Sequence, residues 1–172
     1  MFKRTIILLI LFSACTNNKS KSDKQILDFG TFTIETPKTW TKVKPRGIDS
    51  YVGYIALDSK DTIGFDLGQW PNNLEELRDI PDTGLVIIDY PDRYLPEIYK
   101  KNKILWDTID GYKVKIVSPK KSGYGTTGIY IDSLWNTFYK NDGFNLYGKN
   151  LKPENEKLLL EAVKTIKFHK PK

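Results

Sequence analysis

Apolar and polar residues alternate along much of this chain, in short runs bounded by Pro, Gly, Asn and Asp. Alternation with a period of two sets every second side chain on one face of a strand. Thr31-Phe32-Thr33-Ile34-Glu35 is the first such run and ends at Pro37; a second lies around Trp40 to Val43. Tyr51 to Leu57 and Thr62 to Leu67 flank Asp58-Ser59-Lys60-Asp61, a hairpin-type turn. Leu85 to Ile88 is a short apolar run. Ile104 to Ile109 and Tyr112 to Val117 meet at Asp110-Gly111, the strongest local hairpin signal present. Gly128 to Ile131, Trp135 to Tyr139 and Phe144 to Tyr147 follow, the last two joined through Asn141-Asp142-Gly143.

Helical patterning is scarcer. Asn72-Asn73-Leu74-Glu75-Glu76-Leu77 places Glu three residues after an Asn, a capping-box arrangement that predicts a short helix. Pro153 to Lys164 predicts a longer one. Pro stands in its first turn, and Glu154 and Glu156 lie near the positive end. Leu159, Ala162, Val163 and Ile166 recur on one face. A short last strand, Thr165 to Phe168, would return to the sheet.

The first residues carry a different signal. Lys3 and Arg4 precede the apolar run Thr5 to Phe12, and Ser13-Ala14 supply small residues, the three parts of a signal peptide over residues 1–14. That run is about half of the ~20 residues needed to span a bilayer. Leu11-Phe12-Ser13-Ala14-Cys15 resembles the bacterial lipobox, with Phe12 where Leu is commonest. The resemblance implies lipidation at Cys15, palmitate-type acyl chains included, and membrane lipid as a partner. Two or more chains turn reversible attachment into a lasting one. Thr16 follows the cysteine in place of the Asp that marks inner-membrane retention, so the outer membrane is expected before the inner. Residues 15–25 read as the lipidated Cys and a flexible tether, since Thr16 to Lys24 holds no apolar residue. One globular domain is expected over residues 26–172, a length that suits one domain and not two.

Composition narrows the chemistry. The single Cys excludes a disulfide framework within the chain and any multi-cysteine metal site. The single His, His169, excludes a His-rich centre, and a tail is a poor place to fix the base of a Ser–His–Asp arrangement. No catalytic residue, cofactor or metal is therefore assigned. Four Trp and ten Tyr are many for one domain and read first as packing, then as an exposed binding surface. Between Asp58 and Glu97 there are ten acidic residues and three basic ones, in a chain of net charge +6. Such asymmetry can steer a charged partner, or disperse over solvated faces.

Lys100, Lys101, Lys103, Lys113, Lys115, Lys120 and Lys121 lie near Tyr99, Trp106, Tyr112 and Tyr124. Lysine among aromatics can suit nucleic acid, but an exported protein seldom meets it; anionic lipid headgroups are the better match. Asp58, Asp61 and Asp66 could hold a carboxylate pair for glycoside hydrolysis, although Asp beside a turn has a backbone reason to be there. Ser118 to Gly128 is Gly-rich without the Gly-Lys-Ser/Thr ending of a phosphate loop, and reads as a mobile connection.

Phe32-Thr33-Ile34-Glu35-Thr36-Pro37-Lys38-Thr39-Trp40 resembles the strand, Pro, Trp opening of PsbP-like and Mog-type domains. Ile109-Asp110-Gly111-Tyr112-Lys113-Val114 and the ending through Thr165-Ile166-Lys167-Phe168 are similar too, so the likeness spans Phe29 to Phe168. The resemblance implies an α+β fold: an α/β/α sandwich around a central, mostly antiparallel sheet, with a C-terminal helix and a short last strand. It implies a binding or assembly module and no enzyme. The expected function is thus a membrane-anchored envelope lipoprotein binding an envelope protein, immunity-type proteins among the forms. The alternative is an envelope carbohydrate-binding protein or glycan-acting enzyme.

Overall fold

The computed structural model describes residues 23–43, 51–76, 97–136 and 141–170. Residues 1–14, expected to be a signal peptide, Cys15 and the Leu85 to Ile88 run lie outside the described residues. The strands are β1 Lys24–Asp28, β2 Phe32–Pro37, β3 Thr41–Val43, β4 Tyr51–Ala56, β5 Thr62–Gly68, β6 Asn102–Ile109, β7 Tyr112–Pro119, β8 Thr126–Asn136, β9 Asn141–Lys149 and β10 Lys167–Phe168. The helix α1 is Pro153–Ala162, and 3-10 turns lie at Glu97–Tyr99 and Val163–Thr165. The protein is mostly β.

Among the described residues two sheets form, each with antiparallel pairing. The larger has seven strands in the order β3-β4-β5-β9-β8-β7-β6; the smaller has three, β1-β2-β10. Register puts Ile55, Ile63, Phe65, Leu146, Phe144, Ile129, Ile131, Ile116 and Val114 on one face of the large sheet, and all are buried. The cover for that face is the small sheet and α1. From β2 come Phe32 and Ile34, both 0% exposed. Phe32 stands edge-on to Phe65 and Phe144 at 5.0 and 5.1 Å and stacks on Phe29 at 4.8 Å. From the helical segment come Leu159, Ala162, Val163 and Ile166, the face expected from sequence and all buried.

The start of α1 is capped from outside. Lys152, its N-cap, makes no side-chain cap bond. Its backbone N–H donates instead to Asp61 Oδ2 at 2.8 Å, and Asn155 Nδ2 donates to Asp61 Oδ2 and Asp58 Oδ2 at 2.7 and 2.9 Å. The β4–β5 turn thus sets two carboxylates at the positive end of a helix, where negative charge is stabilised. On the far side, Glu156 accepts from Ser122 Oγ at 2.5 Å and from Gly123 N at 2.9 Å.

A central antiparallel sheet, a C-terminal helix and a short last strand are all present. The second helical layer of an α/β/α sandwich is not found among the described residues, where a three-stranded sheet shares one face with α1. β10 joins that small sheet through β2 rather than the large one. The turn at Asp110-Gly111 is as expected, with φ of 51° and 84°, the left-handed pair a two-residue hairpin demands.

Three local expectations fail. The predicted helix from Asn72 is absent over the described residues 72–76, which are irregular. Asn72 and Asn73 bond the backbone two residues on, at Leu74 N (2.7 Å) and Glu75 N (3.1 Å), and Leu74 takes a φ of 58°. Such Asx turns compete with helix for the same donors. Asn141-Asp142-Gly143 is not a turn but the start of β9, paired with the end of β8. Gly128 to Ile131 and the run from Trp135 belong to one strand, β8, interrupted by a bulge between Ile131 and Trp135. The first strand also begins earlier than the change in composition, taking in Lys24 and Gln25.

Phe32→Ala should cost about 3–5 kcal/mol, the range for emptying a fully buried aromatic site, read from the shift in urea midpoint. A second expectation concerns acid. The Lys152 ammonium, with the Asp61 and Lys60 amides and the Asn155 amide, holds Asp58 well below the usual carboxylate range. A depressed folded-state value gives stability that is full above an unfolded carboxylate's pKa of about 4 and fades as pH falls through the folded value. The stability gap between wild type and Asp58→Asn should therefore be widest near neutrality and narrow towards pH 2–3 by urea titration. A gap that grows on acidification would contradict it.

Candidate functional site

The second face of the large sheet is polar, and one strap of chain crosses it. After β5 the segment Gln69 to Glu76 passes over β9 and β8 towards β7 and β6. Pro71 seats on Gly143, where an added Cβ would lie 2.7 Å from Pro71 Cγ and 2.9 Å from the Ile131 carbonyl. Asn145, 1% exposed, ties the next residue down: its Nδ2 donates to the Asn72 carbonyl at 3.0 Å and its Oδ1 accepts from Asp66 N at 3.1 Å. Leu74, buried, lines a small cavity together with Asn102, Ile104 and Val117. Glu76 then closes the strap onto β6, accepting from Lys101 N at 2.7 Å and Asn102 N at 2.6 Å.

Beneath the strap lies a buried lysine. Lys115 is 4% exposed, its Nζ 3.9 Å from Glu75 Oε1 and 5.4 Å from the Tyr130 ring centre. Burial pulls its pKa down, with Glu75 opposing. Burial also pushes the Tyr130 hydroxyl up to about 12, helped by Asp132, whose Oδ1 accepts its proton at 2.8 Å. Tyr130 is therefore a fixed donor at neutral pH. Asp132 stands in the β8 bulge, a device that re-aims side chains beside functional sites. Beyond it opens a cleft of about 370 Å³ lined by Gln69, Trp70, Pro71, Asn73, Tyr130, Asp132 and Asn141. Trp70 is 80% exposed. An aromatic platform beside amides and one oriented carboxylate can stack on a ligand and hydrogen-bond to it.

The four Trp divide evenly. Trp40 and Trp135 are core, whereas Trp70 and Trp106 are exposed. Trp106 belongs to a second surface at strand β6, which among the described residues pairs with β7 alone and exposes Ile104, Leu105 and Trp106. The lysines near it do not make one basic face. Lys100 and Lys120 both pair with Glu97, at 3.0 and 3.3 Å, and Lys115 is buried. Lys113 lies over Trp106 and Lys101 over Tyr124, each 4.7 Å from the ring centre. Tyr112 turns inward, edge-on to Phe168 at 5.5 Å. Lys103 and Lys121 are exposed.

Asp58 and Asp61 share the Asn155 amide at the helix start, while Asp66 lies on β5 beside Asn145 and burial raises its pKa. The three do not converge on one site. The Gly-rich connection is tied by side chains from elsewhere: Glu156 accepts from Ser122 and Gly123, Asn150 Oδ1 accepts from Gly125 N at 2.9 Å, and Asn102 Oδ1 accepts from Thr126 N at 2.7 Å. Sequence reasoning missed the strap, Lys115 as a buried group, and the cleft around Trp70. Cys15 lies outside the described residues, and among those residues no helix is long and apolar enough to cross a membrane. The chain matches no family model and no curated protein.

Asn145→Ala should destabilise the protein by about 1–3 kcal/mol, because the Asn72 carbonyl and the Asp66 amide lose a buried partner. Hydrogen exchange should speed up at the strap more than at β2, separating local release from general loosening.

Proposed function

We propose that this chain is a cell-envelope lipoprotein whose domain is a non-enzymatic binding or assembly module. The junction at Cys15 supports the anchor, with acyl chains holding the mature chain to a membrane, the outer membrane before the inner. The PsbP-like and Mog-type layout, an α/β/α sandwich, belongs to the same proposal. An antiparallel sheet, the Asp110-Gly111 hairpin and a helix leading into Thr165-Ile166-Lys167-Phe168 support it.

The observation that carries binding is strand β6. Eight residues long and outermost in its sheet, it exposes Leu105 at 63% and Trp106 at 55%. Natural edges are usually blunted by shortness, bulges or Pro, because an open edge invites another strand. The 3-residue β3 at the opposite edge follows that rule. β6 is blunted at its start, where Glu76 takes the Lys101 and Asn102 amides, and by Lys103 and Asp107. Among the described residues its middle, around Leu105 and Trp106, has no strand on its outer side. An extended segment of an envelope protein adding to β6 would gain main-chain hydrogen bonds and cover these side chains. Lys103 and Lys113 outweigh Asp107 along this edge, so the fitting segment is acidic. Assembly into an envelope complex and neutralisation of a toxin are two forms of this role.

Intact mass and membrane fractionation of the wild type beside Cys15→Ser test the anchor. The wild type should begin at Cys15, weigh more by its lipid and sediment with membranes, and the variant should not. Two soluble proteins cut elsewhere would remove the lipoprotein reading. Cross-linking in wild-type membranes should capture a protein that Leu105→Lys loses while keeping its fold. Equal capture by both would remove β6 as the surface.

A further inference from the structure

We propose that the cleft between the strap and the β8 bulge binds a neutral pyranose of an envelope glycan, stacked on Trp70 and hydrogen-bonded by Asp132 and the neighbouring amides. This gives the binding module a ligand class; it rests on that module reading and is independent of the anchor at Cys15.

The first ground is the indole. A single exposed aromatic needs no explanation, but Trp70 stands at the wall of a concave site where polar groups converge. A pyranose presents axial C–H groups on its faces and hydroxyls around its rim. The electron-rich face of an indole attracts the former. The latter need partners that both donate and accept, which is what Gln69, Asn73 and Asn141 offer, with Asp132 as a strong acceptor.

The second ground is charge. No lysine or arginine is among the described residues lining the cleft. The charged side chain on the described lining is Asp132, which repels a phosphate or carboxylate and accepts from the hydroxyls of a neutral sugar. The volume, about 370 Å³, is near the lower end for ligand sites and admits on the order of one or two rings.

The third ground is preorganisation. The Tyr130 hydroxyl fixes one oxygen of Asp132, and Asn73 Oδ1 is oriented by accepting from Glu75 N at 3.1 Å. Pro71 is seated on the backbone of β9, so Trp70, the residue before it, leaves a fixed point. Groups held before binding lose little freedom on binding.

The test uses the full chain extracted in mild detergent. It is placed on an array of neutral and acidic glycans, and the best sugar is then titrated by tryptophan fluorescence. A neutral glycan should bind saturably and change the emission. Trp70→Ala should weaken binding at least roughly tenfold and abolish the spectral change, a factor worth about 1.4 kcal/mol. Asp132→Asn should weaken it several-fold, and Tyr124→Ala, an exposed ring outside the cleft, should bind as the wild type does. Far-ultraviolet circular dichroism should be unchanged in all three. An array with no glycan bound, a preference for acidic sugars, or equal binding by Trp70→Ala would each overturn the assignment. A partner captured at β6 with no sugar bound would leave the module and remove the cleft as a sugar site; sugar binding without capture would do the reverse.

Discussion

A seven-stranded sheet covered by a helix of only ten residues leaves much of an apolar face to be buried by something else, and the side chain at the centre of that cover is Phe32. It reaches from the small sheet to Phe65 on β5 and Phe144 on β9, and its ring also meets Phe168 of the last strand at 6.4 Å. One residue thereby joins segments far apart in sequence: the opening hairpin, the middle of the large sheet and the C-terminal end. Aromatic rings suit such a junction because each buries much area from a single backbone position and prefers edge-to-face contact. The end of the chain is fixed there too, as Asp110 accepts from Phe168 N at 2.8 Å and Lys167 Nζ at 3.0 Å.

With stability invested in one face, the other is available for polar groups. Asn145, Lys115 and Tyr130 all project from it, and none would be tolerated in the aromatic layer opposite. The strap makes this possible. It brings Glu75 to the buried ammonium of Lys115 and supplies Glu76 to two backbone amides at the edge of β6. A buried cation without such a neighbour would be expensive. The cleft at Trp70 is a by-product of the same path, because the strap rises over Gly143 before descending to Asn145.

Period-two alternation was enough to find most of the strands, and the Asp110-Gly111 and helix-face signals were legible because they are local. What sequence could not supply was competition. Asn73 followed by Glu76 reads as a capping box, yet Glu76 has a better use 25 residues away, on backbone amides that the sheet edge leaves without strand partners. The bulge in β8 was invisible for a similar reason: two short alternating runs look alike whether a turn or a bulge separates them, and only pairing with β9 decides. The Gly-rich connection looked mobile because glycine says nothing about Glu156, Asn150 and Asn102 reaching in from elsewhere. Of the candidate site, the exposed indole and Asp132 are both plain in the sequence, but their meeting depends on the strap's path.

Charge shows most clearly how pattern and structure part company. A chain with ten acids in one stretch and lysines after it suggests a steering field. Among the described residues, much of that charge acts in pairs. Asp58 and Asp61 cap α1, Glu75 answers Lys115, Glu76 closes the strap, and Glu97 holds Lys100 and Lys120. A charge engaged at under 4 Å contributes little at a distance once solvent and salt have screened the pair. The described lining of the Trp70 cleft holds amides and the carboxylate of Asp132, and Lys100, Lys115 and Lys120 are engaged elsewhere by Glu97 and Glu75. The sugar recognition proposed there rests on shape, stacking and directed hydrogen bonds, while Asp58, Asp61, Glu76 and Glu97 serve the fold.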